Sequence, residues 1–215
     1  MVSLIITAFN YDRYLERAIR SGIDQSLNKE AYEIIVVNDA STDRTESILD
    51  NYKDVARCFN LKQNAGLSAA RNFGIQKARG QFVMFLDADD YVHREILKIT
   101  KLFLDENSSL DSVSVDYWLV DERGNRIRQV DASKEPIACG ILFRKDFLFD
   151  VGLYDESFLA REEEDLRMRW EKVYSVHNLS IPLYRYRMHD FNLTKDGGKM
   201  QEGLEQLTDK HSLSK

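Results

Sequence analysis

The sequence predicts an α/β sandwich built around a mostly parallel central sheet. Two observations point to this class of fold. Three short apolar runs alternate with helical stretches over the first half of the 215-residue chain, as is typical of a parallel sheet covered on both faces. Polar residues of the kinds that bind ligands follow each run, at the edge of the sheet where open α/β folds place their ligand crevice.

The three apolar runs are the predicted strands. They are rich in β-branched or bulky residues and do not alternate with polar ones, as expected for strands buried on both faces. Their sequences are VSLII at 2–6, EIIVV at 33–37 and FVMFL at 82–86. We therefore expect them to be central strands, mostly parallel to one another.

Three helices are predicted between these strands. The first places five apolar residues on one face, namely Tyr14, Leu15, Ala18, Ile19 and Ile23. The second has a start resembling a capping box, formed by Asp43 and Glu46. The third runs from Ser68 to Ala78 and stops at Gly80, since glycine commonly ends helices.

The pattern changes after residue 110. A strand-like pair surrounds the turn at 122–125, a further segment lies near 139–144, and an acidic helix is predicted at about 163–173. With no long linker or repeat, we expect one domain over 1–195, with halves at about 1–104 and 105–195. The polar tail, 196–215, has a weak apolar stripe and is expected to be a mobile or peripheral appendage.

Composition excludes several classes of function. A formal charge of −6 and a pI near 5.3 argue against a nucleic-acid-binding surface. Cys58 and Cys139 lie far apart without a Cys/His cluster, so neither a zinc site nor a disulfide framework is indicated. No apolar run approaches the roughly 20 residues that span a bilayer. We expect a cytoplasmic protein whose membrane contact, at the inner face, is at most peripheral.

Three carboxylates directly follow the third predicted strand, at Asp87, Asp89 and Asp90. They repel one another and raise one another's pKa unless a cation is supplied. A Mg²⁺ or Mn²⁺ ion held by one or two of them and by a substrate diphosphate would meet that need. The alternative is that Asp90 caps a helix over 91–106 while Asp87 and Asp89 are solvated.

Asp39 follows the second predicted strand and should point into the same crevice. A carboxylate there can accept a hydrogen bond from an N–H group of a nucleobase. Helix capping is the alternative, because Asn38, Ser41, Thr42 and Asp43 are all residue types that begin helices, although capping suits Asp43 better than Asp39. The chain has no P-loop and no dinucleotide fingerprint.

Seven stretches, taken in order, resemble the nucleotide-sugar-dependent glycosyltransferases of family 2, which have the GT-A fold. The similarity covers residues 2 to about 194. The stretches are SLIITAFN, VVNDASTDRT, NAGLSAARNFGIQKARG, FLDADD, VGLYDESF, REEEDLRMRW and YRYRMHDFNLT. Each is weak alone, but their order and spacing make the resemblance specific.

The resemblance implies a nucleotide-sugar site. Thr7 and Phe9 match positions that line the nucleobase, and Asp39 matches the carboxylate that contacts its N–H edge. Arg71 matches a basic residue near the nucleotide and the acidic crevice. The alternative for Arg71 is a solvated helix arginine, which its small neighbours Ala69, Ala70 and Gly74 disfavour.

The resemblance also implies a divalent cofactor, Mn²⁺ or Mg²⁺. Asp87 matches a contact to the ribose and sugar, Asp89 matches a metal ligand, and His189 matches a residue close to the metal and diphosphate. A lone histidine is otherwise most often structural or on the surface.

The catalytic base should come from REEEDLRMRW, where the sequence departs from the family's usual Glu-Asp pair. Matching the downstream part of this stretch places the pair on Glu162 and Glu163, which makes Glu163 the base. Matching the literal pair places it on Glu164 and Asp165. We favour Glu163 and keep Asp165 as the alternative. Acidic residues at a helix N-terminus are also favoured by the helix dipole without any catalytic role.

By this resemblance, the protein is an inverting, metal-dependent glycosyltransferase acting in polysaccharide or glycoconjugate synthesis. The favoured donor is a UDP-sugar, carrying a hexosyl or N-acetylhexosaminyl group, and the acceptor is a glycan or a lipid-linked or protein-linked hydroxyl. The alternatives are a catalytically degenerate module that binds nucleotide-sugars and, less favoured, a nucleotidyltransferase. The sequence does not indicate which sugar or acceptor is used, because fold and family are shared by many activities.

Overall fold

The computed structural model describes residues 1–190 and 192–212, where nine strands form one sheet flanked by seven α-helices. The strands are β1 (Val2–Ala8), β2 (Tyr32–Asn38), β3 (Arg57–Asn60), β4 (Phe82–Asp87), β5 (Tyr91–Val92), β6 (Ser112–Val120), β7 (Arg126–Val130), β8 (Ile141–Arg144) and β9 (Val176–Arg187). The helices are α1 (Asp12–Ile23), α2 (Thr45–Asp50), α3 (Leu67–Lys77), α4 (Ile96–Glu106), α5 (Lys145–Asp150), α6 (Glu162–Trp170) and α7 (Gly197–Ser212).

The first half of the chain forms the parallel part of the sheet, in the order β3-β2-β1-β4. Helices cover both faces of β1, because a β-carbon on Gly22 of α1 would meet Leu4, whereas one on Gly74 of α3 would meet Ile5. Successive residues of a strand point to opposite faces, so the two helices lie on opposite sides. This arrangement confirms the predicted α/β sandwich and its central strands.

The second half extends the same sheet beyond β4, in the order β8-β6-β9-β5, with β7 paired to the other part of β6. The predicted hairpin at 122–125 is confirmed as β6 and β7. Sequence patterns missed the two-residue strand β5, which lies within the helix predicted over 91–106. They also missed β3 and β9. β3 has only four residues, of which three are half-buried and one is exposed, so it is too short to predict. The first half of β9 is largely exposed and precedes Pro182, so neither of these two strands shows the apolar run of a central strand.

The start of α2 differs from the predicted capping box. The carboxylate of Asp43 accepts hydrogen bonds from the backbone N–H groups of Thr45 and of Asp12, at 2.9 Å each. The side chain of Glu46 instead accepts from Asn60. Asp43 therefore joins the first turns of α1 and α2, and Glu46 does not complete a capping box.

The segment expected to be a mobile or peripheral appendage is largely the helix α7. Leu207, from the weak apolar stripe, is buried, and Lys210 forms an ion pair with Asp155 at 2.6 Å. Residues 213–215 of the predicted tail lie outside the described residues, and the division into a domain and a tail remains a prediction. Among the described helices, none is long and apolar enough to cross a membrane.

Candidate active site

The loops that follow β1 and β2 are bound to each other at the carboxyl ends of the strands. The backbone N–H of Asn10 donates to the hydroxyl of Ser41, and the N–H of Thr42 donates to the side-chain oxygen of Asn10 at 2.8 Å. Asn10 adopts the left-handed conformation with φ 58°, which asparagine tolerates better than most residues. Beside this junction, Thr7 is buried and the ring of Phe9 is 43% exposed, so Phe9 presents an aromatic surface to solvent.

Asp39 is buried at the end of β2, and its carboxylate organises the loop before α3. One oxygen accepts from the N–H of Ala65 at 2.8 Å, and the other accepts from Gly66 at 2.9 Å. The side-chain hydrogen bonds of Asp39 thus go to this loop. A capping role would instead require hydrogen bonds to the start of α2. A carboxylate has about four lone-pair positions, so Asp39 retains capacity for a further N–H donor.

Arg71 of α3 links the two halves of the molecule. Its guanidinium donates to Asp87 at 2.9 Å and to Glu162 at 2.7 Å, and the side chain is only 1% exposed. The structure excludes the alternative of a solvated arginine. It also shows that Arg71 is engaged with two carboxylates. Sequence patterns could not reveal this, because Glu162 is 91 residues away.

The three carboxylates after β4 have separate partners. Asp87 pairs with Arg71. A carboxylate oxygen of Asp89 lies 2.8 Å from the ring nitrogen Nε2 of His189. Asp90 is buried and accepts from the hydroxyl of Tyr184 at 2.6 Å and from the backbone N–H of Arg187 at 2.7 Å. Helix α4 begins at Ile96, so the interpretation that Asp90 caps it is wrong. Asp90 instead attaches this loop to β9, a strand that was not predicted.

Two further residues, Arg187 and Asn192, support the loop of Asp89 and the neighbouring His189. The guanidinium of Arg187 donates to the backbone carbonyl of Asp89 at 2.6 Å and lies over the rings of Tyr14 and Tyr91. The side-chain oxygen of Asn192 accepts from the backbone N–H of His189 at 2.6 Å. Both residues belong to the stretch YRYRMHDFNLT, and their polar character within that motif is the sequence signal for them.

Asp89 and His189 are the residues that could hold a divalent cation. No group of three or more His, Cys, Asp or Glu side chains suited to a metal occurs within residues 1–190 and 192–212. The pair nevertheless offers one oxygen and one nitrogen donor, which fits Mn²⁺ when a diphosphate and water complete the coordination. Burial raises the pKa of Asp89; hydrogen bonding to His189 opposes the shift and the charge of Asp87 adds to it. A bound cation would oppose this rise in the pKa of Asp89.

The two base candidates on α6 have opposite environments. Glu163 is partly buried, and no described side chain is seen to form a hydrogen bond or ion pair with it. Burial, followed by the charge of Glu162, raises its pKa to about 7. A carboxylate with a pKa near the working pH is suited to accept a proton and later release it.

Asp165 is completely buried and engaged with cations. Its carboxylate accepts from Arg169 at 2.7 Å, contacts Lys210 at 2.8 Å, and lies 3.0 Å from Nε2 of His211. Burial alone would raise its pKa, but the hydrogen bonds from Arg169 and Lys210 hold the pKa below its usual value. This environment suits a structural anchor, and it favours Glu163 over Asp165 as the prediction for the base.

The fold is that of GT-A glycosyltransferases. A crystal structure of Staphylococcus aureus TarS in complex with UDP-GlcNAc is similar over 96% of this chain and 65% of that chain, with a TM-score of 0.81 and 22% identity. A mannosyltransferase from Pyrobaculum calidifontis, in complex with GDP-Man and Mn²⁺, is similar over 98% of this chain and 63% of that chain, with a TM-score of 0.76 and 18% identity. Identities this low show the fold alone, and they confirm the expected fold class.

The family model "Glycosyl transferase family 2" matches residues 3–161. The chain therefore belongs to glycosyltransferase family 2, and the resemblance stated from its motifs is confirmed. The matched range includes Asp39, Arg71, Asp87 and Asp89. It ends just before Glu163.

Three bacterial proteins illustrate the similarity in sequence. An uncharacterised glycosyltransferase of Rickettsia typhi is 29% identical over 96% of this chain and 70% of its own length. The minor teichoic acid biosynthesis protein GgaB of Bacillus subtilis is 31% identical over 76% of this chain, and the poly(ribitol-phosphate) β-N-acetylglucosaminyltransferase TarS of Staphylococcus aureus is 34% identical over 61%. The matched parts make up only 20% of GgaB and 22% of TarS.

Proposed function

We propose that the protein transfers a sugar from a nucleotide-diphospho-sugar to an acceptor hydroxyl, with inversion at the anomeric carbon. The observation that carries the proposal is the chain of contacts from Asp87 through Arg71 to Glu162. It fixes the start of α6, and with it Glu163, relative to the carboxylate crevice. A proton acceptor and a candidate site for the leaving diphosphate are thereby held by one buried arginine.

The favoured donor is a UDP-sugar, and UDP-GlcNAc is the first to test. This choice is supported by the TarS complexes with UDP and UDP-GlcNAc and by the name of the TarS relative, which is an N-acetylglucosaminyltransferase. The names of TarS and GgaB also support a role in the synthesis of a surface or glycan polymer. The proposed acceptor is a glycan, lipid-linked or protein-linked hydroxyl, and the proposed location is the cytoplasm, with peripheral membrane contact at the inner face.

In the proposed reaction, the acceptor oxygen attacks the anomeric carbon from the side opposite the diphosphate. Its proton passes to the carboxylate of Glu163, while the bond from the anomeric carbon to the diphosphate oxygen breaks. Asp87, which Arg71 holds, contacts the ribose or sugar of the donor. Asp39 and Phe9 contact the base. Asp89 and His189 would hold Mn²⁺ or Mg²⁺, which when bound supplies positive charge to the leaving diphosphate.

A panel of nucleotide-sugars tests this proposal directly. Binding of a donor at 100 times its dissociation constant should stabilise the protein by about 2.7 kcal/mol, which a thermal-shift assay with Mn²⁺ detects. Release of nucleoside diphosphate by the same donor would then distinguish a transferase from a degenerate binding module. Stabilisation without any release, with every acceptor class and with water, would favour the binding module.

UDP should bind more tightly with Mn²⁺ or Mg²⁺ than with EDTA. The physical reason is that Asp87 and Asp89 repel a diphosphate unless a cation lies between them. We expect a difference of at least about tenfold, which corresponds to about 1.4 kcal/mol, in titration calorimetry. Equal affinity in both conditions would remove the metal from the proposal.

The turnover number should rise with pH through about 7. Because the pKa of Glu163 is raised to about 7, its carboxyl is protonated below that pH and cannot accept the acceptor's proton. Glu162 and Glu164 raise this pKa, and Arg71 opposes the rise. The measurement is kcat for UDP release at saturating donor between about pH 5 and 9. An acid limb near the ordinary glutamate pKa would contradict the assignment of Glu163.

A further inference from the structure

Helix α7 approaches the chain immediately before α6 at backbone distance. A β-carbon on Gly203 would lie 2.7 Å from the carbonyl oxygen of Ala160. Real β-carbons do not come this close to backbone atoms, so any side chain at Gly203 would push the two segments apart. The contact depends on glycine, and it lies three residues before Glu163.

A second contact involves Arg161, the residue that precedes α6. Its Nε donates to the backbone carbonyl of Met200 in α7 at 3.0 Å, and its Nη1 pairs with Glu164 at 2.6 Å. Arg161 adopts the left-handed conformation with φ 61°, which a residue with a side chain adopts only when its surroundings enforce it. The hydrogen bond to α7 is part of that enforcement.

The third contact is the cation cluster around Asp165. Lys210 bridges Asp165 at 2.8 Å and Asp155 at 2.6 Å, and His211 adds a contact to Asp165 at 3.0 Å. Because the Asp165 carboxylate is completely buried, it requires such partners to remain charged. The end of α7 is therefore attached to the first turn of α6.

The cation cluster lies on the side of α6 away from Glu163. Asp165 stands two residues from Glu163 within the helix, and two residues rotate about 200° around a helix axis. Contacts that hold Asp165 from one side thus leave Glu163 directed to the other. Such an arrangement sets the position of the carboxylate without touching the reacting atoms.

We propose that α7 is a positioning element for the catalytic carboxylate, acting through Gly203, Arg161 and Lys210. This inference rests on the proposed role of Glu163 as the base. Displacement of α6 should then lower turnover without altering UDP binding, because the side chains of Asp39 and Asp89 have their partners outside α6, whereas these contacts reach residues 155–165. A misplacement of about 1 Å can cost about a hundredfold in rate.

Gly203→Ala tests the proposal against a matched control, Gly198→Ala. Both substitutions raise helix propensity in the same helix, but a β-carbon on Gly198 meets only a side-chain oxygen of Asp196 at an ordinary 3.5 Å. The measurements are kcat for UDP release from UDP-GlcNAc with Mn²⁺ and water as acceptor, and the UDP dissociation constant. We expect Gly203→Ala to lower kcat about tenfold or more with unchanged UDP affinity, and Gly198→Ala to match the original protein in both.

Lys210→Met provides a second variant, which keeps the apolar stem and removes the cation from Asp165 and Asp155. It should lower kcat in the same direction with unchanged UDP affinity, and it decides the matter alone if Gly203→Ala does not fold. The proposal is overturned if the folded variants keep the kcat of Gly198→Ala, or if kcat and UDP affinity fall together. If the unsubstituted protein itself releases no UDP from any donor, the proposed function fails instead, which is a different result.

Discussion

Glu163→Gln is expected to lower kcat by about 10²–10⁴-fold, the range that a positioned general base contributes, while donor affinity stays unchanged. The amide keeps the shape of the side chain but cannot take the acceptor's proton. Because no ion pair of Glu163 is seen among the described residues, the substitution leaves no buried partner uncompensated. The measurements are single-turnover transfer or UDP release, together with UDP affinity and the melting temperature, which should be close to that of the original protein.

Asp165→Asn is the matched variant on the same helix, and the opposite pattern is expected. It removes the negative charge that Arg169, Lys210 and His211 surround. Removal of one partner of a buried ion pair destabilises by about 3–5 kcal/mol, so its melting temperature should fall by several degrees while kcat falls less than in Glu163→Gln. Loss of catalysis in Asp165→Asn, with Glu163→Gln still active, would show that the literal Glu-Asp register is correct.

The stability effect at Asp165 should depend on pH in a defined direction. Its folded-state pKa lies below its usual value, so its contribution to stability is present above the ordinary aspartate pKa. It is lost as pH falls through the lowered, folded-state pKa. The difference in melting temperature between Asp165→Asn and the original protein should accordingly shrink in acid.

Asp89→Ala is expected to lose activity by orders of magnitude while the protein remains folded. Removal of this carboxylate leaves His189 as the single protein donor of the candidate cation site. A loop carboxylate contributes little to the apolar core, so the melting temperature should change by no more than a few degrees. In calorimetry, the variant should no longer bind UDP more tightly with Mn²⁺ than with EDTA.

Asp90→Asn serves as the control for this position, since Asp90 is adjacent but has its own partners in Tyr184 and β9. The amide oxygen can still accept from the backbone N–H of Arg187, and the amide nitrogen can donate to the hydroxyl of Tyr184, so the metal dependence of UDP binding should survive. Near-normal turnover in Asp89→Ala would mean that the carboxylates after β4 have only a structural role. The same loss of metal dependence in both variants would show that the effect is not specific to Asp89.

Local patterns were sufficient for the three central strands in the parallel half of the fold. A strand buried on both faces must be apolar throughout, so β1, β2 and β4 are visible as short runs, and the residues that follow them must share one edge of the sheet. The proximity of Asp39, Asp87 and Asp89 was predicted on that basis. Their chemical roles, and that of Glu163, remain predictions that the substitutions above test.

What the sequence by itself determined is the class of fold, the family and the edge of the sheet where the polar residues gather, because each depends on periodicity or on short, contiguous motifs. Tertiary structure decided which carboxylates are engaged. Arg71 pairs with Glu162, Asp90 is held by Tyr184 of β9, and Asp165 is surrounded by cations from its own helix and from α7. Hydrogen bonds and ion pairs between residues 45 or more apart in the chain leave no periodic trace, so only the folded molecule distinguishes the anchored carboxylates from Glu163.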